Sequence, residues 1–268
     1  MVAHTPSACP TALRGSYHTP PVANHNARSR GTMGIMSVFQ SLRAAFHHPA
    51  DAPAIRMPDE LPTTAFCAQH PTLPANLPIS LRPLTLDDED EWNDVRWRNR
   101  DWLAPWDSDD PLHGSPLTFN AWITRQRRSE ERGTGALFGI IHRGRIVGQI
   151  SVGAISYGSM RTGIVGYWVS QQFAGHGFAP LALAILADWA LADPTGPQLH
   201  RLEIAILPEN HRSRRVVEKI GAHDEGLRLR YMFVNEQWRD HETYSLLADD
   251  VGSGFTVRLM SDTPGLNA

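Results

Sequence analysis

Residues 167–179 carry the most informative run of this 268-residue chain and read Tyr167-Trp168-Val169-Ser170-Gln171-Gln172-Phe173-Ala174-Gly175-His176-Gly177-Phe178-Ala179. Residues 163–169 predict a β-strand, and the nearly all-apolar run 178–192 predicts a helix that must be buried. Two glycines in the connecting loop let backbone N–H groups approach an anion, and a helix N-terminus adds partial positive charge. The run therefore predicts a phosphate site between a strand and a buried helix.

The residues around the glycines exclude two common phosphate motifs. No Lys-Ser/Thr pair follows them, which excludes a nucleoside-triphosphate P-loop. No third glycine stands where the dinucleotide-binding fingerprint needs it, and the preceding strands form a hairpin meander, not a βαβ unit. A diphosphate held without magnesium is the interpretation that remains. The alternative is an ordinary tight connection between a strand and a helix.

Hydrophobic periodicity and capping signals on both sides of the loop predict the other elements. Thr85 and Asp88 form a capping box, while Asn210 and Gly221 begin and end a later helix. The predicted helices lie at about 85–98, 118–132, 178–192 and 210–221, and the predicted strands at 79–84, 136–142, 146–152, 163–169, 201–206, 227–235 and 242–247. This order predicts an α+β fold with a mixed, mostly antiparallel central sheet and helices on both faces.

The N-terminal quarter has a different composition. No acidic residue precedes Asp51, and 11 of the 20 prolines lie at or before Pro78. Residues 1–76 therefore predict an irregular or disordered leader with one candidate short helix near 36–46, ahead of a domain at 77–250 and a C-terminal tail at 251–268. An organellar transit peptide, or an upstream start codon with Met33 or Met36 as the true first residue, are alternatives for the leader.

Composition limits the class of protein. A hydrophobic content of 41% supports a sizeable core, and a net charge of −3 disfavours a protein that coats nucleic acid. The longest apolar run, 178–192, is shorter than the roughly 20 residues that span a bilayer. Cys9 and Cys67 cannot form a disulfide framework or a zinc site. We expect a cytoplasmic protein with no metal and no nucleic-acid or membrane partner.

Several motifs in order resemble the GNAT N-acetyltransferase superfamily, and within it the RimJ/RimL group that acetylates ribosomal-protein N-termini. They are Gly166-Tyr167-Trp168-Val169, Gln172-x-x-Gly175-x-Gly177, Pro208-Glu209-Asn210-x-x-Ser213, Lys219-Ile220-Gly221-Ala222, Glu225-Gly226 and Trp238-Arg239-Asp240-His241. The resemblance covers about residues 78–248. It implies the acyl-CoA N-acyltransferase fold and acetyl-CoA as co-substrate.

The resemblance also implies how acetyl-CoA would bind. The exposed backbone of a splayed strand would pair with pantetheine like an added strand, and loop amides from about 173 to 178 would take the pyrophosphate. Asn210 commonly contacts the cofactor in this family, although an N-cap role explains it equally well. The implied binding residues are Tyr167, Trp168, Val169, Gln172, Phe173, Ala174, Gly175, His176, Gly177, Phe178 and Asn210.

Acyl transfer to an amine needs a neutral amine, a stabilised carbonyl oxygen and a proton for the departing thiolate. Glu203, placed mid-strand among apolar residues, is the candidate general base. The alternatives are that it faces solvent or pairs with Arg201 or Arg230. No carboxylate stands in Ser170-Gln171-Gln172, where some relatives carry one, so a water-only route is also open.

The proton donor and the oxyanion donor have candidates as well. Ser213, in the first turn of a helix, is the predicted acid, because the helix dipole favours a developing anion there. The alternative is a hydroxyl that completes the helix cap, and Tyr231 is a weaker candidate acid. A strand N–H near Val169 would bind the carbonyl oxygen.

We therefore expect an enzyme that acetylates an α-amino group, at the N-terminus of a ribosomal or other protein, acting as a monomer or homodimer. A small-molecule amine acetyltransferase and a non-catalytic acyl-CoA-binding module are the alternatives. Four acids near two tryptophans, Asp101, Asp107, Asp109 and Asp110, could attract a basic peptide. They could equally form a solvated turn that Trp102 and Trp106 anchor to the core.

Overall fold

The computed structural model describes residues 52–74, 77–112 and 117–263. Its helices are α1 (Thr64–Gln69), α2 (Glu89–Arg98), α3 (Arg100–Leu103), α4 (Phe119–Glu131), α5 (Phe178–Leu191), α6 (His211–Lys219) and α7 (Phe255–Asp262). Its strands are β1 (Ser80–Pro83), β2 (Ala136–His142), β3 (Arg145–Ser156), β4 (Thr162–Val169), β5 (Arg201–Ile206), β6 (His223–Val234) and β7 (Gln237–Leu247). The predicted α+β fold is confirmed.

The seven strands form one sheet in the order β1-β2-β3-β4-β5-β7-β6. Among these strands, β4 and β5 are the one parallel pair, and all other neighbours are antiparallel. Pairing of β4 with β5 begins at Thr162 with Arg201 and stops at Val165 with Ile204. The second halves of these two central strands therefore separate.

The two faces of the sheet are covered differently. Helix α5 lies against one face, and all of its 14 residues except Ala179 are buried. The other face carries a smaller cluster in which Phe119 and Ile123 of α4 pack on Leu84 and Leu137. The larger core is therefore built around α5, as its apolar sequence predicts.

Residues 52–74 correct the predicted start of the domain. Ile55 and Leu61 are buried members of the larger core and Phe66 is also buried, although the proline-rich sequence around them predicted an irregular leader. Leu61 forms two backbone hydrogen bonds with Leu81 of β1, of 2.7 and 3.0 Å. The segment joins the domain because it covers apolar surface that the sheet and α5 leave open. The candidate helix near 36–46 lies outside the described residues.

The predicted C-terminal tail is wrong for residues 255–262, which form α7 and pack on α5. Asp188, a buried carboxylate in the last turn of α5, accepts hydrogen bonds from the N–H groups of Phe255 (2.7 Å) and Thr256 (2.9 Å). These bonds satisfy the first amides of α7, which its own sequence leaves uncapped. Among the described residues, no helix has the length and apolar character needed to cross a membrane.

Candidate functional site

The separation of β4 from β5 leaves a gap lined by strand backbone. The N–H of Ser170 donates to the carbonyl of Val147 on β3 at 2.8 Å. Because peptide groups alternate sides along a strand, those of Tyr167 and Val169 point the other way, toward β5. Beyond Val165 no β5 residue pairs with them in the described chain. The gap therefore exposes the peptide groups of Tyr167 and the N–H of Val169, which a bound extended chain could use.

The glycine loop leaves several amides without a protein acceptor. Gly175 and Gly177 have φ values of +85° and +79°, in the left-handed region that favours glycine. In the described part of the chain, the N–H groups of Gly175, Gly177, Phe178 and Ala179 form no hydrogen bond. A side chain at Gly177 would stand at the start of α5. These amides and the helix N-terminus together form an anion-binding geometry.

Three other N–H groups of the loop already donate to carbonyls of the protein. Fewer amides of the run 173–178 are therefore available for the predicted pyrophosphate. Phe173, Ala174 and His176 donate to carbonyls of Ser170, Gln171 and Phe173 at 2.9, 3.1 and 3.3 Å. These bonds fix the shape of the loop. The N–H groups of Gly175 and Gly177 are not among their donors. Gln172 and His176 are exposed, and the Gln172 side chain has no partner among the described residues.

Three aromatic rings pack together where the glycine loop joins α5. The rings of Phe173 and Phe178 stack with centroids 5.6 Å apart, and His142 lies 4.8 Å from Phe178. The His142 ring is held by a 2.6 Å contact between Nδ1 and the carbonyl of Pro78. The packed rings therefore hold the start of α5 in place.

Helix α6 borders the gap on the α5 side of the sheet. The Asn210 side chain accepts from the N–H of Ser213 at 3.1 Å and caps α6, as its sequence predicts. The Ser213 hydroxyl lies 2.7 Å from the phenol oxygen of Tyr167. Burial raises the pKa of the Tyr167 phenol, so this group stays protonated at neutral pH. Sequence reasoning used only the backbone of Tyr167 and missed this link between β4 and α6.

Glu203 lies on β5 opposite Ile164, one pair before the strands separate. It is only 7% exposed, and Arg228 donates to both of its oxygens at 2.6 Å. The Tyr231 phenol donates to Oε1 at 2.7 Å, and burial together with this bond raises the pKa of that phenol. The alternative partners named from sequence are wrong: Arg201 pairs with Glu225, and Arg228 takes the position expected of Arg230.

Asn99, between α2 and α3, and Trp102, in α3, contact the end of β4. The buried Asn99 side chain accepts from the N–H of Gln171 at 2.8 Å and donates to the Ser170 hydroxyl at 3.0 Å. The Trp102 indole N–H donates to the carbonyl of Val169 at 3.1 Å. The sequence signals only a helix end near Asn99 and, at Trp102, a side chain that anchors the acidic turn to the core. Neither pattern identifies the strand that they contact.

The acidic turn that follows α3 is partly neutralised and docks on the β6–β7 hairpin. Asp107 accepts from Arg96 at 2.7 Å, while the N–H of Asp109 donates to the carbonyl of Phe233 at 3.1 Å. The same Arg96 guanidinium lies 5.3 Å from the ring centroid of Trp168, whose side chain is on the α2 face. The turn therefore borders the sheet face on which Glu203 lies.

A family model described as acetyltransferase (GNAT) domain matches residues 79–223, more than half of the chain. The chain belongs to the GNAT acetyltransferase family. It is therefore an acyltransferase, and the match covers β1, the glycine loop, the separated strands and α6. The resemblance inferred from the motifs around Gly175 and Gly177 is confirmed.

Individual relatives of this GNAT chain agree with the family match. Probable N-acetyltransferase YjcK of Bacillus subtilis (strain 168) is 29% identical over 179 residues, which are 64% of this chain and 95% of that protein. [Ribosomal protein uS5]-alanine N-acetyltransferase of Escherichia coli (strain K12) is 26% identical over 61% of this chain and 85% of its own. A solved structure, Mycobacterium smegmatis RimJ in complex with CoA-disulfide, has a TM-score of 0.64 at 29% identity, covering 70% of this chain and 92% of RimJ.

Proposed function

We propose that this GNAT chain transfers acetyl from acetyl-CoA to the α-amino group of a protein N-terminus, with ribosomal proteins as the first candidates. The observation that carries the proposal is the uncapped start of α5, with its free loop amides, next to the gap between β4 and β5. The names of the E. coli and M. smegmatis relatives support the acceptor class and a CoA ligand. The same proposal places the reaction in the cytoplasm.

The residues present fit acetyl-CoA. The free amides of Gly175, Gly177 and Phe178 would hold the diphosphate at the start of α5. The backbone of Tyr167 and Val169 would pair with the pantetheine amides in the gap, as an added strand pairs with a sheet edge. When bound, acetyl-CoA supplies an activated acetyl thioester. Asn210 borders the same gap through α6 and remains a proposed contact.

An α-amino acceptor demands little of a general base. The pKa of an α-amino group is about 8, so roughly a tenth of these groups is neutral at pH 7. A lysine side chain, with a pKa of about 10.4, is almost wholly charged at that pH. We propose Glu203 as the base, acting through water, because its two oxygens already accept from Arg228. The hydroxyl of Ser213 is proposed as the proton donor to the thiolate, with the Tyr167 phenol as its hydrogen-bond partner.

A panel of acceptors tests the function. Thiol release from acetyl-CoA is measured with peptides of different N-termini, with an N-terminally blocked lysine peptide and with small amines. We expect turnover with the free α-amino peptides and little with the blocked peptide. Turnover confined to small amines would replace the proposed acceptor class, and a silent panel despite calorimetric binding of acetyl-CoA would indicate a binding module.

The role of Glu203 is tested by Glu203→Gln across pH 6 to 9 with the best peptide of that panel. We expect the largest loss of rate at low pH, where few α-amino groups are neutral and a base matters most. Asp224→Asn, on the exposed part of β6, is the control for a change of one carboxylate. A loss that is equal at every pH would remove Glu203 from proton transfer.

A further inference from the structure

The end of β4 lacks the support that the rest of the strand has. On the β3 side it is paired up to Val169, but on the other side its partner strand has already diverged. A strand end with one free edge frays unless side chains hold it. The three residues 169–171 are also those that connect the gap to the phosphate loop. Their position therefore sets where both ends of an extended ligand would lie.

Two side chains supply the missing support, that of Asn99 between α2 and α3 and that of Trp102 in α3. Asn99 is 6% exposed and uses its amide group fully, donating to the carbonyl of Val95 and to Ser170 while it accepts from the N–H of Gln171. Trp102, three residues later, binds the carbonyl of Val169. Together the two side chains hold three consecutive residues on the unpaired edge.

Trp102 also connects this strand end to α6. The guanidinium of Arg212 lies 4.4 Å from the centroid of the indole ring, a cation–π geometry. Because α6 borders the gap through Ser213 and α3 borders it through Trp102, this contact spans the gap near Val169. An extended ligand would then pass between the contact and the point where β4 and β5 meet.

We propose that Asn99, Trp102 and Arg212 are positioning residues of the acetyl-CoA site, an inference that rests on the proposed function. Asn99 and Trp102 hold the end of β4, so that the N–H of Val169 and the peptide group of Tyr167 stay aligned for pantetheine. Arg212 stacks on Trp102 and limits the width of the gap. We expect these residues to affect the binding of the cofactor and not that of the amine.

The test uses the conservative change Trp102→Phe, which keeps a ring for Arg212 but removes the indole N–H. We expect the KM for acetyl-CoA to rise about three- to tenfold, as for the loss of one hydrogen bond, while kcat and the KM for the acceptor stay unchanged. Trp106→Phe is the matched control, because Trp106 is half-buried in the same segment and its indole N–H has no partner among the described residues.

A second pair of variants tests the contact with α6. Arg212→Gln is expected to raise the KM for acetyl-CoA about two- to fivefold, whereas Arg215→Gln, exposed on the same helix, is expected to leave it unchanged. Melting temperatures within a few degrees of wild type show that each variant is folded.

The outcomes separate this proposal from the function on which it rests. An unchanged KM for acetyl-CoA in Trp102→Phe would overturn the positioning role while wild-type turnover kept the function intact. A lower KM would also overturn it, because it would mean that the indole competes with pantetheine for the Val169 carbonyl. Wild-type protein that binds no acetyl-CoA in calorimetry would overturn both.

Discussion

Helices α5 and α6 both begin beside the gap between β4 and β5, yet only α6 has a side chain that caps its N-terminal end. Helix α6 starts at Asn210, whose side chain caps it, and it is rich in arginine and partly exposed. Helix α5 starts after a left-handed Gly177 with no side-chain cap, and nearly all of it is buried. The more deeply packed helix is the one whose first amides are left free.

The difference indicates which helix end is built for a ligand. The first four N–H groups of a helix need partners, and in α6 the protein supplies one from its own sequence. In α5 the same groups open onto the loop, where an anion would satisfy them. Burial keeps α5 in place without a cap, because residues 52–74 and α7 cover the parts that the sheet does not.

The largest effect is expected from a substitution at the N-terminal end of α5. Gly177→Asp places a carboxylate among the free amides and forces an L-residue to φ +79°, so we expect acetyl-CoA binding in calorimetry to be abolished. Gly221→Asp is the control, since Gly221 has φ +73° and open space at its Cβ, at the far end of α6. Wild-type affinity in Gly177→Asp would show that α5 does not hold the diphosphate.

The next effect concerns how α5 is kept in place. Leu61→Ala removes a fully buried side chain of the segment 52–74, and we expect urea unfolding to show a loss of about 2–5 kcal/mol. The KM for acetyl-CoA should stay near wild type, because Leu61 is remote from the loop. Leu86→Ala, where the leucine is 54% exposed, should cost far less. Equal losses would mean that the segment does not support the core.

A smaller effect separates the two interpretations of Asn210 at the α6 end. Asn210→Ala removes the cap and is expected to lower the free energy of unfolding by about 1 kcal/mol, whereas Asn210→Ser keeps a capping oxygen and costs little. We expect both variants to raise the KM for acetyl-CoA about threefold, because both lose the amide N–H. A wild-type KM for acetyl-CoA in Asn210→Ser would mean that Asn210 only caps α6 and does not contact the cofactor.

The smallest effect is a pH dependence within α5, whose single ionisable group is Asp188. Burial raises the pKa of this carboxyl above 3.8, although the N–H groups of Thr256 and Phe255 oppose the shift. The folded state then keeps a proton that the unfolded chain loses, so stability from this group is full below about pH 4 and declines as pH rises.

The free energy of unfolding of wild type minus that of Asp188→Asn should therefore fall as the pH rises above about 4. Urea unfolding at several pH values measures it. A difference that grows with pH would mean that the hydrogen bonds to α7 outweigh burial.

Local patterns were sufficient for much of the fold and for the loop. The apolar run 178–192 and Asn210 predicted α5 and the capped start of α6, because periodicity and capping act within a few residues. The same signals failed for Leu61 and for α7, whose short, proline- or glycine-flanked segments are ordered by contacts with α5. They also failed for Glu203, because its partner Arg228 lies 25 residues away on a strand that is not its neighbour.

The amino-acid order alone determined the strand–loop–helix unit at residues 163–192, the glycine positions and the family to which the chain belongs. Each of these depends on neighbours in sequence, through backbone conformation and hydrophobic spacing. Only the tertiary structure decided that β4 and β5 part after Val165, that Asn99 and Trp102 hold the strand end, and which arginine pairs with Glu203. Those contacts join residues far apart in the chain, and their energies arise only when the sheet brings them together.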